Sequence, residues 1–274
     1  MPVSQTIPDP DNPILKSRET INPYRSALRS AGSRLLWDLR FESWRSRRIL
    51  NSWKDKFSGA DKAVILCNGP SLLKSDLSLL DGVFTFGLNK INLLFDRSDF
   101  RPSCIVSVNP FVISQNAEFF NKTDIQLFLD NYGVKKKEIK ARSNVAFMHS
   151  STAGFARDCS MSIDQGYTVT YVALQLAFHM GFRNVALIGA DHNFAVNGPA
   201  NKTVVADKED ESHFDPNYFA IGSKWQLPDL FQSEVSYMRA KQTYEAFGGR
   251  VLNATDGGKL EVFPRIRLEE FIRE

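Results

Sequence analysis

Four polar side chains recur at one kind of position in this sequence, where a short apolar run ends. Asn68 follows "AVILC", Asn89 follows "FTFGL", Asn109 follows "CIVSV", and Asp191 follows "NVALIGA". An amide is uncharged and both donates and accepts hydrogen bonds. Three asparagines therefore suit a ribose, a base edge or a sugar better than a magnesium-bound triphosphate. In the stretch "NGPS", Gly69 permits a close turn, Pro70 fixes its shape and Ser71 can cap a following helix. The amides opening that helix would face a phosphate or sugar edge; the same turn also has a purely structural use. It is neither GxGxxG nor a Walker-type GxxxxGK, so neither of those phosphate cradles is supported.

Histidines supply the acid–base candidates. His192 lies in "GADHNF" directly after a predicted interior strand, and His213 in the polar stretch "DKEDESHFDPNYF". Residues 192–228 show little secondary-structure patterning, and a connection of that length reads as a lid, a binding loop or a disordered segment. A histidine carried there can abstract a hydroxyl proton from a ligand held elsewhere. His149, after "NVAFM", can line the same crevice, whereas His179 sits in an apolar helix and reads as a filler. Asp191, His192 and the pair Asp210–Glu211 offer a competing metal use, but their spacing matches no closed zinc pattern. No protein-bound metal is expected.

These residues need a scaffold, and the chain between them alternates strand and helix patterns. Strand candidates are "KAVILCN", "GVFTFGLN", "SCIVSVNP", "IQLFLD", "NVAFMHS", "NVALIGAD" and "RVLNAT". A helix is expected from about Leu72 to Leu80, another in "TVTYVALQLAFHMGF", and a third in "LFQSEVSYMRAKQTYEAFGG", closed by glycines. The alternation calls for a mostly parallel, Rossmann-like α/β sheet with helices on both faces, whose ligands collect beyond the carboxyl ends of the strands. Ahead of it, residues 1–17 form a polar arm with four prolines. The next proline-free stretch reads as one or two amphipathic helices interrupted near Gly32. The expected division is an arm with helices over 1–60 and one nucleotide-binding catalytic domain over 61–274.

Charge is divided along the same line. Residues 1–60 hold 11 Lys/Arg against 6 Asp/Glu, while the remainder holds 23 against 25. The main body is thus not built to neutralise a nucleic-acid backbone. The basic helices over 18–58 either pack on the core or meet an oligomer partner or an anionic membrane, with Trp37, Trp44 and Trp53 at the interface and Arg45, Arg47 and Arg48 near headgroups. Cys67, Cys104 and Cys159 form no CxxC pair and read as core thiols in a reducing compartment. With no secretory pattern at the N-terminus and no run long enough to span a bilayer, the expected location is the cytoplasm, with a peripheral place on the inner membrane face as a variant. The Asn-x-Thr sites at Asn121, Asn201 and Asn253 then carry no glycan.

Together, "LCNGPSL", "FGLNKINLLF", "SVNPFV", "YTVTYVALQLAFHMGFRNVALIGADHNF" and "DESHFDPNYFAIG" resemble the bacterial sialyltransferases of glycosyltransferase family 42. They also resemble proteins related to the archaeal hydroxymethylpterin diphosphokinase, and the likeness covers roughly residues 63–255. It implies a GT-A-like variant of the fold. By motif, Asn68, Gly69, Pro70 and Ser71 would hold the nucleotide end of a CMP-activated sugar, and Asn89 and Asn109 would contact ribose, phosphate or sugar. Thr168 would lie beside the phosphate or carboxylate, Asp191 would hold the base or order the turn, and His213 would be the general base.

The sequence also departs from the sialyltransferases. Their tyrosines after the aspartate are replaced by His192, Asn193 and Phe194, which moves leaving-group assistance to His192 or Tyr218. Their arginine ahead of the long helix aligns with Gly166, and "TVT" replaces their Thr-Ser-Gly. Asn109 stands where the diphosphokinase relatives tend to have Asp. The expectation is transfer of an acidic sugar from a CMP donor to a glycan or lipid-linked glycan hydroxyl, with inversion and no required cofactor, in bacterial surface polysaccharide or lipopolysaccharide synthesis. The alternatives are an ATP- and magnesium-dependent pterin diphosphokinase, another nucleotide-sugar transferase, and a noncatalytic carbohydrate-binding protein.

Overall fold

The computed structural model describes residues 22–152, 154–193 and 200–274. The proline-rich arm and Phe194 lie outside them. Two helices come first, α1 (Pro23–Asp38) and α2 (Phe41–Trp53). The strands β1 (Lys62–Leu66), β2 (Phe84–Leu88) and β3 (Cys104–Ser107) lead to short helices α3 (Pro110–Gln115) and α4 (Ala117–Lys122). After β4 (Gln126–Asp130), α5 (Tyr132–Lys135) and β5 (Val145–Met148), a small pair β6 (Ser150–Ser151) and β7 (Ile163–Asp164) precedes α6 (Val169–His179). The chain continues through β8 (Asn184–Ile188), β9 (Thr203–Val205), β10 (Lys224–Gln226), α7 (Leu230–Ala246), β11 (Arg250–Asn253) and α8 (Leu268–Arg273).

Seven strands form one parallel sheet in the order β11-β8-β1-β2-β3-β4-β5. All seven strand expectations are met. Within each continuous apolar run, alternate residues go to opposite layers. Ala63 and Ile65 face α6 and α7 in one core, while Val64 and Leu66 face α8 and the short helices in the other. Helix α6 is apolar all round because it is wrapped by the sheet and α7: Thr170 through His179 are all buried. His179 serves that core, its Nε2 2.9 Å from Leu50 O. From β1 the chain runs to β2 on one side, and from β8 it runs to β11 on the other. The strand order therefore reverses between β1 and β8, where such sheets open a crevice.

Three local expectations are corrected. The stretch from Leu72 to Leu80 forms two 3-10 turns, Pro70–Lys74 and Leu77–Leu80, because Ser75 is extended and Asp76 starts the second turn by accepting from Ser78 N at 3.0 Å. The N-terminal helices break at Leu39–Arg40, where Arg40 turns extended, and Gly32 lies inside α1. The region 192–228 is no bare loop. Its described part holds the β9–β10 hairpin and buries Tyr218, Phe219, Trp225 and Leu227 against Val112. It is also tied to the sheet, with Phe214 N donating to Asn68 O at 2.8 Å.

Helix α2 lies on the edge strand β5. Ser46 Oγ accepts from Phe147 N at 2.9 Å, meeting an amide that an open sheet edge would leave unpaired. Cys67, Cys104 and Cys159 are buried free thiols, and burial raises Cys67 to about 12, so it stays protonated. No described helix is long and apolar enough to cross a membrane.

Candidate active site

The strand-end residues converge. A cavity of about 1340 Å³ beyond the carboxyl ends of the strands is lined by Asn68, Gly69, Asn89, Asn109, Thr168, Asp191, His192, His213 and Tyr218. Pro70 and Ser71 do not line it. The "NGPS" turn holds part of the protein itself: Asp191 Oδ2 accepts from Ser71 Oγ at 2.6 Å and from Ser71 N at 3.2 Å. Gly69 N donates to Gly189 O at 2.9 Å, and a Cβ on Gly69 would collide with the Asp191 carboxylate. Asp191 therefore locks the loops after β1 and β8 together across the switch point. The expectation that Ser71 and its amide meet a ligand phosphate gives way, because the chain's own carboxylate already occupies them.

Asn68 is held from one side only. Its Nδ2 donates to Leu88 O at 3.1 Å and to Tyr218 Oη at 3.2 Å, while its buried Oδ1 has no hydrogen-bond partner among the described residues. Asn68 is 8% exposed, and a buried acceptor left without a donor is costly. Asn89 has a left-handed backbone (φ 49°), and its Oδ1 accepts from Ser107 Oγ at 3.1 Å. Asn109 caps α3, accepting from Phe111 N at 2.9 Å, and its Nδ2 lies 3.4 Å from Gln226 Oε1 of the hairpin. Thr168 caps α6 and sits 3.2 Å from Tyr237 Oη.

The described part of 192–228 supplies further walls of the cavity, among them His213, Tyr218, Phe219 and Trp225. His213 Nδ1 is 2.8 Å from Asp210 Oδ2, and its ring stacks on Tyr218 with centroids 3.9 Å apart and planes 1° from parallel. Burial alone would push the Asp210 carboxyl up. Hydrogen bonds and charge from His213, with the amides of Ser212 and His213, outweigh burial and hold it below its ordinary value. A carboxylate on Nδ1 fixes the tautomer and leaves Nε2 as the basic nitrogen. Burial keeps the Tyr218 phenol far above its usual pKa, so it is a neutral hydroxyl. His192, also left-handed (φ 51°), is held through Nε2 at 2.9 Å from Glu234 Oε1. Burial, with help from Arg34 and Lys135, lowers His149, which pairs through Nδ1 with Asn131 Nδ2 at 3.2 Å.

Several residues here escaped the sequence reading. Arg29 and Arg34 reach the cavity from α1, and Tyr167 lines it with a left-handed backbone (φ 63°). The pair Gly166–Tyr167 directly before the Thr168 cap was the available signal for the last. Gly166 (φ 51°) packs against Tyr171 so closely that a Cβ would collide with the ring, so no arginine fits at this position. Lys90 lies behind the site, its Nζ donating to Tyr218 O at 2.6 Å and Gln115 Oε1 at 2.8 Å; burial lowers it to about 8 against the pull of Asp210. The acids considered for a metal are spent on separate partners, Asp191 on Ser71 and Asp210 on His213. Among the described residues no three His, Cys, Asp or Glu side chains gather in a metal-binding group.

No curated protein matches the chain. Among solved structures it is similar to the MAf glycosyltransferase from Magnetospirillum magneticum AMB-1, at 17% identity and a TM-score of 0.47, over 83% of this chain and 39% of that one. The chain thus spans less than half of that protein's length. A sequence model of the family described as 6-hydroxymethylpterin diphosphokinase MptE-like matches residues 40–197, a span that takes in α2 through β8. That match takes in the Asn68, Asn89, Asn109 and Asp191 strand ends and stops short of His213. It covers well over half of the sequence, and the chain belongs to the MptE-like family.

Proposed function

We propose that this protein transfers an acidic, sialic-acid-like sugar from a CMP-activated donor to a hydroxyl of a glycan or lipid-linked glycan, with inversion. The observation that carries this reading is His213, paired with Asp210 at 2.8 Å and lining the cavity that Asn68, Asn89 and Asn109 also line. Nε2 of His213 takes the acceptor proton as the hydroxyl oxygen attacks the anomeric carbon. The bond from that carbon to the phosphate oxygen breaks, and CMP departs with the electron pair. The orphaned Oδ1 of Asn68 suits a donor on the nucleotide, such as an exocyclic amine or a ribose hydroxyl. In-line displacement puts the leaving phosphate on the face opposite the base. Tyr218 stacks on His213 and shares its side, so leaving-group assistance falls to His192, which lies near Tyr237 and the Thr168 cap. Arg29 replaces the arginine that Gly166 excludes and meets the donor carboxylate.

A first experiment measures CMP release from CMP-N-acetylneuraminate with and without glycan acceptors, beside a thermal-shift series of CMP, UMP, UDP, GDP, AMP and ATP with and without magnesium. Acceptor-dependent CMP release and a metal-independent CMP shift support the reading; stabilisation by ATP alone contradicts it.

Family membership favours one second reading, pyrophosphoryl transfer from ATP to a hydroxymethylpterin. The same base would serve that acceptor hydroxyl. The charge on a transferring diphosphate calls for magnesium held by carboxylates, and AMP formation abolished by EDTA would identify it.

A further inference from the structure

Helix α1 turns its apolar stripe away from the protein. Tyr24, Leu28, Leu35 and Leu39 follow one another at spacings of four, seven and four, which places them on one helical face. Leu28, Leu35 and Leu39 are 73%, 61% and 76% exposed, whereas Trp37 on the opposite face is buried. Phe41 and Trp44, at the start of α2 just beyond Leu39 in sequence, are exposed as well, their ring centroids 5.9 Å apart, and Arg48 lies 5.0 Å over the Trp44 ring. A row of large apolar side chains exposed along one helical face marks an interaction site. Residues 22–53 carry seven arginines and two acids, and one of those acids, Asp38, is already paired with Arg34 and Arg47.

We infer that this face docks in the plane of an anionic lipid bilayer, with the leucine stripe among the acyl chains and Arg25, Arg40 and Arg48 at the headgroups. The charge selects the occupant. A two-fold contact with a second copy would set this arginine-rich patch against itself, since a self-complementary interface repeats the same surface on both sides. A phosphate-bearing membrane offers the complementary sign and an apolar layer of unlimited extent. One consequence rests on the function proposed above: α1 also walls the cavity through Ser30, Arg34 and Asp38, so docking would hold the site about 10 Å, one helix diameter, from a lipid-borne acceptor.

Vesicle sedimentation of the full chain tests docking without reference to activity. Binding is expected to vesicles with about 30% phosphatidylglycerol, to be near background on pure phosphatidylcholine, and to weaken as salt rises. The solvent-facing variant Leu28→Ser/Leu35→Ser/Leu39→Ser should lower partitioning by at least ~10-fold at unchanged Tm, and Arg25→Ser/Arg40→Ser should remove the lipid-charge dependence. Brominated lipids should quench the wild type and not Trp44→Phe. Absence of binding at physiological salt, or full binding by the triple-serine variant, overturns the inference. So does a dimer that the same variant dissociates, which would assign the face to a second copy.

Discussion

The His213 imidazole lies flat on the Tyr218 ring at 3.9 Å, and the Tyr218 hydroxyl beneath it touches the Asn68 amide at 3.2 Å. Through this stack His213 is joined, by way of Tyr218, to the end of the first strand. His213→Ala should lower kcat by about 10²–10⁴-fold while leaving donor binding near wild type. Asp210→Asn should lower it less, by roughly 10–10³-fold, because the imidazole stays while its tautomer is no longer fixed. Turnover of both variants with single-turnover donor binding separates the two effects. Equal turnover by His213→Ala would remove it as the base.

Asn68 gives a binding prediction. Asn68→Ala removes the orphaned Oδ1 and should raise the donor KM by about 10-fold, the worth of one hydrogen bond, with a smaller change in kcat. Tyr218→Phe leaves one Nδ2 proton of Asn68 without its acceptor and should cost about 1–3 kcal/mol of stability. Thermal melts of Tyr218→Phe beside steady-state kinetics of Asn68→Ala check both.

The lock between β1 and β8 is steric as well as polar. Gly69→Ala pushes a methyl group into the Asp191 carboxylate and to 2.7 Å from Gly189 O. It should cost about 1–3 kcal/mol, as overpacking does. Ser71→Ala and Asp191→Asn should each destabilise, and the double variant by less than their sum, because the two groups act on each other. Additive losses in a double-mutant cycle would mean that the 2.6 Å contact carries no coupling.

Lys90 sets a pH dependence. Its amine titrates near 10.5 in the unfolded chain and at about 8 in the fold, where burial disfavours the charge. Between those values the unfolded chain holds a proton that the native protein does not, so this group's contribution to stability rises with pH across the window and is lost as pH falls through 8. Relative to wild type, Lys90→Met should therefore look best near neutral pH and worsen steadily towards pH 10. A flat difference in Tm across that range would show that Lys90 titrates normally.

How far the sequence carried depended on the range of each interaction. The apolar runs ending at Asn68, Asn89, Asn109 and Asp191 were readable because a strand buried on both faces is a local pattern, and parallel strands in one sheet must bring their carboxyl ends to one side. The same logic exposed α6 through its unbroken apolar surface. The partners of polar groups were not readable. Ser71 lies 120 positions from the carboxylate that fills its turn, and Asn68 lies 150 from the hydroxyl it holds. A side chain suited to a phosphate is equally suited to an aspartate, and only the crossing of β1 beside β8 decided between them. Likewise, the polar composition of 192–228 hid Tyr218, Phe219 and Trp225, whose burial depends on a surface that the rest of the chain provides. Composition and periodicity thus determined the sheet and its row of amides. The tertiary structure alone decided which of them remained open to a ligand, because hydrogen-bonding groups take whichever partner the fold delivers within about 3 Å.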